Sequence, residues 1–473
     1  MNRIILPDKI CKAIDMLYAG GFSAYAVGGC VRDLLLGREP NDYDITSSSL
    51  PEETMEVFAK EYEVKPTGIN HGTVTVIMDD EELEITTFRK EGPYSDHRHP
   101  DYVEFTTDIR DDLVRRDFTV NALAYNDREG LIDLFGGVND LENRIIRTIG
   151  NAEQRFDEDA LRIIRAVRFM SQLGFKSDEN TGKAIHGMCG LLSEVAPERL
   201  NPEFTKLMLG NYIENIMWEF PDVFFTIIPE LKPMYNCEQR TMYHQFDVWQ
   251  HTIKVVAHTE SDLELRLAAL FHDVGKPEAK TTDKNGTNHF KGHMIHSVKS
   301  VDDVLSRFAY PADIRNSVHW LVLHHEEHMP LKPWQIKLLL NCSNRLLFRK
   351  LVMIQHADNQ SKTDKVNSQR QNLYIEALAK ADEIIRNDEC YILKQMAVNG
   401  KDLAGLGITG KEISLVLDNL LLDVILGKIQ NDRIALLKHA MKIASEIRSG
   451  NKEYHINLKE ECAGFYYKYR NRV

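Results

Sequence analysis

The chain has 473 residues, a formal net charge of −13 and seven cysteines without any Cys-x-x-Cys pair. A chain of this length is too long to fold around a single hydrophobic core and predicts roughly two to four domains. The excess of acidic residues excludes a general nucleic-acid coat protein but allows a local track of basic residues. The cysteine pattern argues against a cysteine zinc site, and the lack of a signal sequence or of an apolar run of ~20 residues predicts a cytoplasmic protein without a membrane partner.

The first distinctive stretch follows a short apolar run that predicts a buried strand. This strand ends on Gly28 and Gly29, where backbone N–H groups can approach a phosphate, and the next helix carries Arg32, whose planar fork suits phosphate. Asp42 and Asp44 alternate along a second predicted strand, so their carboxylates face one side and can share divalent cations. Two carboxylates beside a phosphate cradle predict Mg²⁺-dependent phosphoryl or nucleotidyl transfer.

The following segments predict a mixed α and β region. A helix is expected at 52–60 and strands at 72–78 and 83–87, and a stretch without periodicity at 88–100 is either a solvated loop or a mobile basic element near a primer end. A charged cluster at 112–117 is then predicted to lead into an apolar helix; clusters of this kind most often cap solvated helix ends.

The segment 158–169 has the pattern of an amphipathic helix on which Asp159, Arg162, Arg165 and Arg168 recur at three-residue spacing. One interpretation is ion pairing on a surface helix. The other is selection of a base without a nucleic-acid template. Cytosine and adenine both present an amine beside a ring acceptor nitrogen, so one carboxylate (Asp159) and one guanidinium (Arg162) would admit C and A and reject U and G.

A separate set of metal-ligand residue types lies between His244 and Asp358. His251 is predicted on one helix, His272 and Asp273 follow an apolar run, and Asp358 belongs to a third helix. Such N and O donors on separate helices form a ligand set for one divalent metal ion, although any single histidine is as readily a core or surface residue.

These motifs together resemble those of the bacterial class II CCA-adding enzymes, which are tRNA nucleotidyltransferases, and of their poly(A) polymerase relatives. The resemblance rests on the 28–44 pattern, on Arg-Arg-Asp-Phe-Thr-x-Asn-Ala at 115–122 and on Glu-Asp-x-x-Arg at 158–162. It implies that Arg116 contacts the incoming nucleotide and that Arg165 and Arg168 bind the triphosphate.

The resemblance extends to three further parts of the chain. The 88–100 stretch is similar to the family's flexible loop, with Tyr94, Asp96, Arg98 and Pro100 as its matching residues. The His251 to Asp358 set is similar to an HD phosphohydrolase domain, in which His293 and one of His324 or His325 fall where further active-site histidines occur. The part after residue 395 is similar to the family's tRNA-gripping tail, and its basic residues could read the RNA backbone: Lys438, Lys442, Arg448, Lys452, Lys468, Arg470 and Arg472.

The fold expected from this resemblance is an α+β nucleotidyltransferase head with a small mixed sheet, followed by all-α regions. The expected domains are the head at 1–150, a helical neck at 151–235, an HD-type domain at 236–365 and a tRNA-contacting tail at 366–473. The cofactors implied are Mg²⁺ at the head and an unidentified divalent metal at the HD site.

The implied activity is stepwise transfer of CMP, CMP and AMP from CTP and ATP to a tRNA 3′ end, with a secondary phosphohydrolase activity of the HD domain as a hypothesis. Two alternatives stay open. A poly(A) polymerase or an enzyme that adds only CC or only A shares the same head. A metal-dependent HD phosphohydrolase with a degenerate head belongs to another class, and the unbroken Asp42 and Asp44 pair argues against it.

Overall fold

The structure is a computed structural model. It describes residues 3–92, 94, 101–240, 245–327, 329–362, 364–456 and 458. The chain divides into two compact units, residues 1–229 and 230–473; the finer division into four domains stays a prediction. Among the predicted residues, Asp96, Arg98 and Pro100 of the loop and Lys468, Arg470 and Arg472 of the tail lie outside the described part. No helix in that part combines the length and apolar character needed to cross a bilayer.

The first unit combines a mixed sheet with helices, as the sequence predicted. Its strands are β1 Ala24–Val27, β2 Asp44–Ser47, β3 Glu63–Lys65, β4 Thr73–Met78, β5 Glu81–Thr87, β6 Arg89–Glu91, β7 Val103–Phe105, β8 Leu123–Asn126, β9 Gly130–Asp133, β10 Ile145–Ile146 and β11 Lys176–Ser177. Its helices are α1 Asp8–Ala19, α2 Gly29–Leu35, α3 Pro51–Phe58, α4 Ile109–Val114, α5 Gly137–Asn143, α6 Ala152–Glu158, α7 Leu161–Leu173, α8 Glu179–Met188, α9 Pro197–Met208, α10 Ile213–Glu219 and α11 Pro221–Ile227.

The main sheet has seven strands in the order β3-β4-β5-β2-β1-β8-β9. Only β2 and β5 pair in parallel, with Ile45 opposite Ile85, and the other neighbours in this sheet are antiparallel. The inner strand β1, between β2 and β8, is buried along its whole length, which accounts for its continuous apolar sequence. The α+β fold class predicted for the head is therefore confirmed.

Two predictions of helices were wrong. The charged cluster at 112–117 does not lead into an apolar α-helix. It includes the end of α4, and the chain then forms a short 3₁₀ turn at Thr119–Asn121 and enters β8, whose backbone pairs with β1. The helix expected at 158–169 begins only at Leu161. Asp159 is extended, with φ −143°, and its side chain accepts a hydrogen bond from the Leu161 N–H at 3.1 Å. This local bond competes with helix formation and separates α6 from α7.

The second unit is almost entirely helical. Its helices are α12 Val248–His258, α13 Leu263–Phe271, α14 Lys276–Ala279, α15 His293–Arg307, α16 Ala312–His324, α17 Pro333–Cys342, α18 Arg345–Gln360, α19 Asp364–Arg386, α20 Gly400–Ala404, α21 Lys411–Ile425 and α22 Arg433–Arg448, with one short hairpin of β12 Thr281–Thr282 and β13 Asn288–His289. The helices after 395 pack around a core that includes Leu403, Leu420 and Ile443 and that also takes in Leu338 of α17. Of the predicted basic track, Lys438, Lys442, Arg448 and Lys452 are exposed.

Candidate active site

The sheet brings the glycine turn and the aspartate pair of the first unit together. Because β1 and β2 are antiparallel, the end of β1 at Val27 lies opposite the start of β2 at Asp44. Gly28 follows with φ 80°, a conformation that favours glycine, and a Cβ there would lie 2.9 Å from Nη1 of Arg116. The turn after β1 therefore needs a glycine for its backbone, and the glycine also leaves room for the Arg116 guanidinium.

The residues predicted for the head line one cleft of about 670 Å³. This set is Gly28, Gly29, Arg32, Asp42, Asp44, Arg116, Asp159, Arg162, Arg165 and Arg168. Eight cationic side chains and six carboxylates line the cleft, so it is locally basic although the chain is acidic. A cleft of this charge and size suits a nucleoside triphosphate, and the proposed base-selecting pair shares it with the aspartate pair.

The two predicted aspartates lie at and just before the start of β2. Asp44 is its first residue, and Asp42 lies two positions earlier in the preceding loop, so the prediction that both aspartates alternate along one strand was wrong. Asp44 is exposed to the cleft, yet the surrounding protein removes part of its hydration and Asp42 adds a like charge, which together raise the pKa of its carboxyl. Hard carboxylate oxygens in this arrangement fit a Mg²⁺ ion, whose binding would offset their mutual repulsion.

A buried ion-pair network holds the arginines of α7. Nη2 of Arg165 lies 2.7 Å from Oδ2 of Asp117, and Oδ1 of Asp117 accepts from the side chain of Asn121 at 3.0 Å. Glu203 of α9 contacts both Arg165 and Arg168, at 3.2 and 2.8 Å. The network fixes the direction of these guanidinium groups before any ligand binds.

This network also sets the charge state of its members. Burial disfavours the ionised form of Asp117, but Arg165 and Asn121 outweigh that cost and lower the pKa of the carboxyl to about 2. Burial lowers the pKa of Arg168 to about 10, although Glu203 opposes this effect. The guanidinium of Arg168 packs over the ring of Phe169, with 3.7 Å between its central carbon and the ring centroid.

The substitution Asp117→Asn is expected to lower the free energy of unfolding at pH 7 by about 2 kcal/mol, from a native pKa of about 2 against the usual value near 3.8. Because the native pKa is lowered, this contribution is present above the unfolded-state pKa and disappears as the pH falls towards 2. Urea unfolding of both proteins at pH 7 and pH 3.5 should therefore give a smaller difference at the lower pH.

The control for this experiment is Asp108→Asn, because Asp108 caps α4 and asparagine caps a helix equally well. A difference between wild type and Asp117→Asn that stays constant or grows on acidification would mean that Asp117 does not stabilise the fold through its charge.

The predicted base-selecting residues already have partners within the protein. Oδ1 of Asp159 lies 3.2 Å from Nη2 of Arg199 on α9. Arg162 is 7% exposed, and it donates from Nη1 to Glu158 at 2.6 Å and to the Arg155 carbonyl at 3.2 Å, and from Nη2 to the Arg115 carbonyl at 3.2 Å. These bonds use three of the five donors of the guanidinium. The pair is thus held in place while it retains capacity to bind a base.

Sequence reasoning missed several residues that build this cleft. Asp112 is fully buried and binds Arg115 and Arg116 at 2.7 and 3.2 Å, so it orients the predicted nucleotide-contacting arginine. Its spacing of three and four residues from these arginines on a helix was a usable signal. Glu203 and Arg199 carried no local signal, because α9 brings Glu203 to the arginines of α7 and Arg199 to Asp159 only through tertiary packing.

The second unit contains the other predicted constellation. His251 of α12 and Asp358 of α18 lie 2.9 Å apart, and His272 lies 3.1 Å from Oδ2 of Asp273, both directly after α13. His251, His272 and Asp273 can offer ligand atoms to one metal ion. The described residues also hold a second such group, which consists of Asp273, His293 and His325. The structure thus distinguishes the two candidate histidines at the end of α16: His325, directly after the helix, faces Asp273, whereas His324 contacts Glu327 at 3.4 Å.

Burial and neighbouring charges perturb this constellation strongly. Burial disfavours ionisation of Asp273, but His272 and Lys276 outweigh it, so the pKa of the Asp273 carboxyl lies well below its usual value. Burial, together with His293 and His272, lowers the pKa of His325 to about 3, so its imidazole is neutral. Burial opposes protonation of His272, but Asp273 outweighs this effect and raises the pKa of that imidazole, so a metal ion bound there would have to displace its proton.

Comparison with known proteins places three matched segments along the chain. Residues 24–147 match the family described as Poly A polymerase head domain, residues 174–233 match Probable RNA and SrmB- binding site of polymerase A, and residues 241–385 match HD domain. The first segment lies in the first unit, the second ends four residues beyond it, and the third covers both histidine and aspartate groups of the second unit.

Several relatives with similar sequences are named CCA-adding enzyme. The chain is 50% identical to the CCA-adding enzyme of Lactobacillus helveticus over 220 residues, which are 46% of this chain and about half, 54%, of that protein. It is 33% identical to the CCA-adding enzyme of Ligilactobacillus salivarius over 93% of this chain and 98% of that protein. The crystal structure of Bacillus stearothermophilus CCA-adding enzyme in complex with CTP is 26% identical, with a TM-score of 0.70 over 94% of this chain and all of that one.

The alignment with the L. salivarius protein runs through both compact units, so the relationship covers the cleft and the histidine constellation alike. The chain therefore belongs to the CCA-adding enzyme family.

Proposed function

We propose that this protein adds C, C and A in turn to the 3′ end of tRNA, with CTP and ATP as nucleotide donors. The observation that carries the proposal is that an aspartate pair suited to Mg²⁺ and a carboxylate–guanidinium pair suited to C and A line one cleft. The names of the full-length and partial relatives support it. A cytoplasmic location is part of this proposal.

In the proposed reaction the 3′-hydroxyl of tRNA attacks the α-phosphorus of the nucleotide and pyrophosphate leaves. Mg²⁺ held by Asp42 and Asp44 would neutralise phosphate charge and favour ionisation of the attacking hydroxyl. The backbone at Gly28 and Gly29 with Arg32 would hold phosphate oxygens, and Arg165 and Arg168 would bind the triphosphate, with Arg116 beside it. Asp159 and Arg162 would accept C or A.

The arginines suit this role because Asp112, Asp117 and Glu203 hold them in place. A guanidinium that is already ordered loses little conformational entropy when phosphate binds. The N–H groups that now bond to carboxylates can also bond to the phosphate oxygens of a ligand with several negative charges. The exposed basic residues of α22 are a candidate contact for the tRNA backbone.

The test supplies purified protein with tRNA that lacks CCA and with each nucleoside triphosphate singly and in pairs, followed by sequencing of the 3′ ends. CTP alone should add two residues, and CTP with ATP should give a finite CCA. Long A tracts would indicate a poly(A) polymerase, and arrest after CC or addition of A alone would indicate a specialised enzyme. Incorporation of UTP or GTP at the CTP rate would contradict the proposed base selection.

We propose a second activity, hydrolysis of a phosphate ester at the HD constellation. The metal ligands proposed there are His251, His272, Asp273 and Asp358, which supply nitrogen and oxygen donors. Lys276 and Lys362 line the adjoining cavity and could bind phosphate oxygens. The bound metal would polarise the phosphoryl group and activate water.

The full-length protein is expected to hydrolyse a 2′,3′-cyclic nucleotide when supplied with Mn²⁺ or Ni²⁺, and Asp273→Asn is expected to abolish this turnover. The control is Asp302→Asn, which changes an exposed aspartate that pairs with His319. Absence of turnover in the wild type, or equal turnover in Asp273→Asn, would remove this second activity without affecting the first.

A further inference from the structure

We infer that the pyrophosphate released by nucleotidyl transfer leaves the cleft through a neighbouring groove, in which Arg38 and Lys206 bind it. This exit groove is a cavity of about 320 Å³ whose lining includes Arg32, Arg38, Arg168, Gln172 and Lys206. The inference rests on the proposed nucleotidyl transfer and deepens it, because it assigns a path and two binding residues to the product.

The exit groove adjoins the cleft at the end that is proposed to bind phosphate. Arg32, Arg168 and Lys206 line both cavities, whereas the aspartate pair and the base-selecting pair line only the cleft. In a nucleoside triphosphate the base and the β- and γ-phosphates lie on opposite sides of the α-phosphate. A nucleotide with its base at the selecting pair therefore directs its β- and γ-phosphates towards the exit groove.

Charge balance distinguishes Lys206 from the other cations of the cleft. Each arginine that lines the cleft has a carboxylate partner within 3.2 Å, as Arg32 has in Asp33 and Arg168 has in Glu203. Lys206 forms no ion pair with any residue that the structure describes. Its positive charge is therefore available to an anionic ligand.

Arg38 is a second cation of this kind. It is exposed, its Nη1 donates to the Gln172 carbonyl over a long 3.5 Å, and no described carboxylate pairs with it. The carboxylates that line the exit groove are Glu39 and Asp33, and the latter pairs with Arg32. Four cationic side chains thus face two carboxylates, and an anion with several charges would balance them.

Helix α9 places Lys206 beside the arginines that are proposed to bind the triphosphate. Glu203, one turn earlier on α9, holds Arg165 and Arg168, and residues three apart on a helix share a face. These arginines are fixed by carboxylates, whereas the exposed Lys206 carries a strongly hydrated charge on a flexible stem. Fixed guanidinium groups suit a triphosphate that must be held still, and a mobile ammonium group can follow a product that moves away.

The chemistry of the leaving group gives such a path its purpose. When the 3′-oxygen bonds to the α-phosphorus, the bond between the α-phosphorus and the oxygen shared with the β-phosphorus breaks. Pyrophosphate takes that oxygen and the bonding electron pair, so negative charge grows on the side of the exit groove. The groove has the volume of roughly ten water molecules, which is enough for pyrophosphate with part of its hydration shell.

The test measures inhibition by added inorganic pyrophosphate. Full-length protein receives tRNA that lacks CCA, CTP and Mg²⁺, and initial rates of CMP addition give the KM for CTP and the Ki for pyrophosphate. Lys206→Ala and Arg38→Ala should each raise the Ki roughly 3- to 10-fold, because each removes one charge-assisted hydrogen bond at an exposed site. Lys206→Arg restores the charge and should return the Ki to within about twofold of the wild-type value.

Arg38→Ala separates product release from substrate binding, because Arg38 lines the exit groove but not the cleft. The factor by which its Ki for pyrophosphate rises should be at least about three times the factor for its KM for CTP. The control is Lys183→Ala, which removes an exposed lysine that pairs with Glu179 on α8 and lines neither cavity. It should leave both constants unchanged.

The outcomes separate this inference from the proposed function. An unchanged Ki in folded Arg38→Ala or folded Lys206→Ala would overturn the exit groove, and a higher KM for tRNA with that unchanged Ki would assign it to the RNA backbone. Equal factors for Ki and for the KM of CTP in Arg38→Ala would make Arg38 a triphosphate ligand and overturn the exit path.

These results leave the proposed function intact, whereas a wild-type protein that adds no CMP would overturn both. Circular dichroism checks that each variant is folded, and if Lys206→Ala does not fold, Arg38→Ala provides the measurement.

Discussion

Asp44→Asn is expected to reduce the single-turnover rate of CMP addition by roughly 10³-fold or more, because a catalytic cation supplies several kcal/mol of charge stabilisation and each 1.4 kcal/mol is a factor of ten in rate. Asp44 begins β2 directly opposite the end of β1 and lies in the cleft with the phosphate-binding residues. Neutral asparagine keeps the shape of the side chain but removes the charge that binds Mg²⁺.

The measurement uses rapid quench with tRNA that lacks CCA, and tRNA affinity is determined separately by filter binding. Asp79→Asn is the matched control, since Asp79 is exposed in the turn between β4 and β5 and asparagine tolerates its positive φ of 52°. It should leave the rate unchanged. If Asp44→Asn kept more than a tenth of the wild-type rate, the aspartate pair could not be the principal cation site.

Arg162→Ala and Arg162→Lys are expected to lose discrimination of CTP over UTP by roughly 10- to 100-fold, since a pair of hydrogen bonds to a base edge contributes about 1–3 kcal/mol. Lysine retains the charge but not the planar guanidinium with its paired N–H donors. A loss of discrimination in both variants would therefore identify the guanidinium geometry as the selecting feature. Relative rates with each nucleotide under competition give the discrimination directly.

The structure offers a close control for this experiment. Arg155 binds the same Oε2 of Glu158 as Arg162 does, at 2.8 Å, but it does not line the cleft. Arg155→Lys should therefore perturb Glu158 without altering base choice. Equal loss of discrimination in Arg155→Lys would trace the effect to the helix junction, and a loss of tRNA affinity in Arg162→Ala would assign this helix to RNA binding.

Local patterns in the sequence were enough to predict the elements at the centre of the head. The apolar run before Gly28 indicates a strand, and β1 ends at Val27 as expected. The helical periodicity after residue 160 indicates α7, and its three-residue spacing places Arg162, Arg165 and Arg168 in one cleft. Periodicity failed where a side chain or a distant strand satisfied the backbone, at Asp159 and at β8.

The partners of the cleft arginines were not predictable in the same way. Glu203 is about forty residues from Arg165 in the chain and reaches it only because α9 packs on α7.

The histidine motif was sufficient to select His251, His272, Asp273 and Asp358 as one group. It could not reveal that Oδ1 and Oδ2 of Asp273 face different histidine pairs, because this depends on one side-chain rotation.

By itself the amino-acid sequence determined the family of this protein, its mixed α and β head, its helical remainder and the residues with the chemistry to bind nucleotide and metal. These follow from residue type and spacing, which act over one helical turn or one strand. Only the tertiary structure decided that Asp42, Asp44, Asp159 and Arg162 share one cleft, that Glu203 and Asp117 orient its arginines, and that His325 rather than His324 faces Asp273. Contacts of this kind depend on how distant elements pack, and no local spacing encodes that packing.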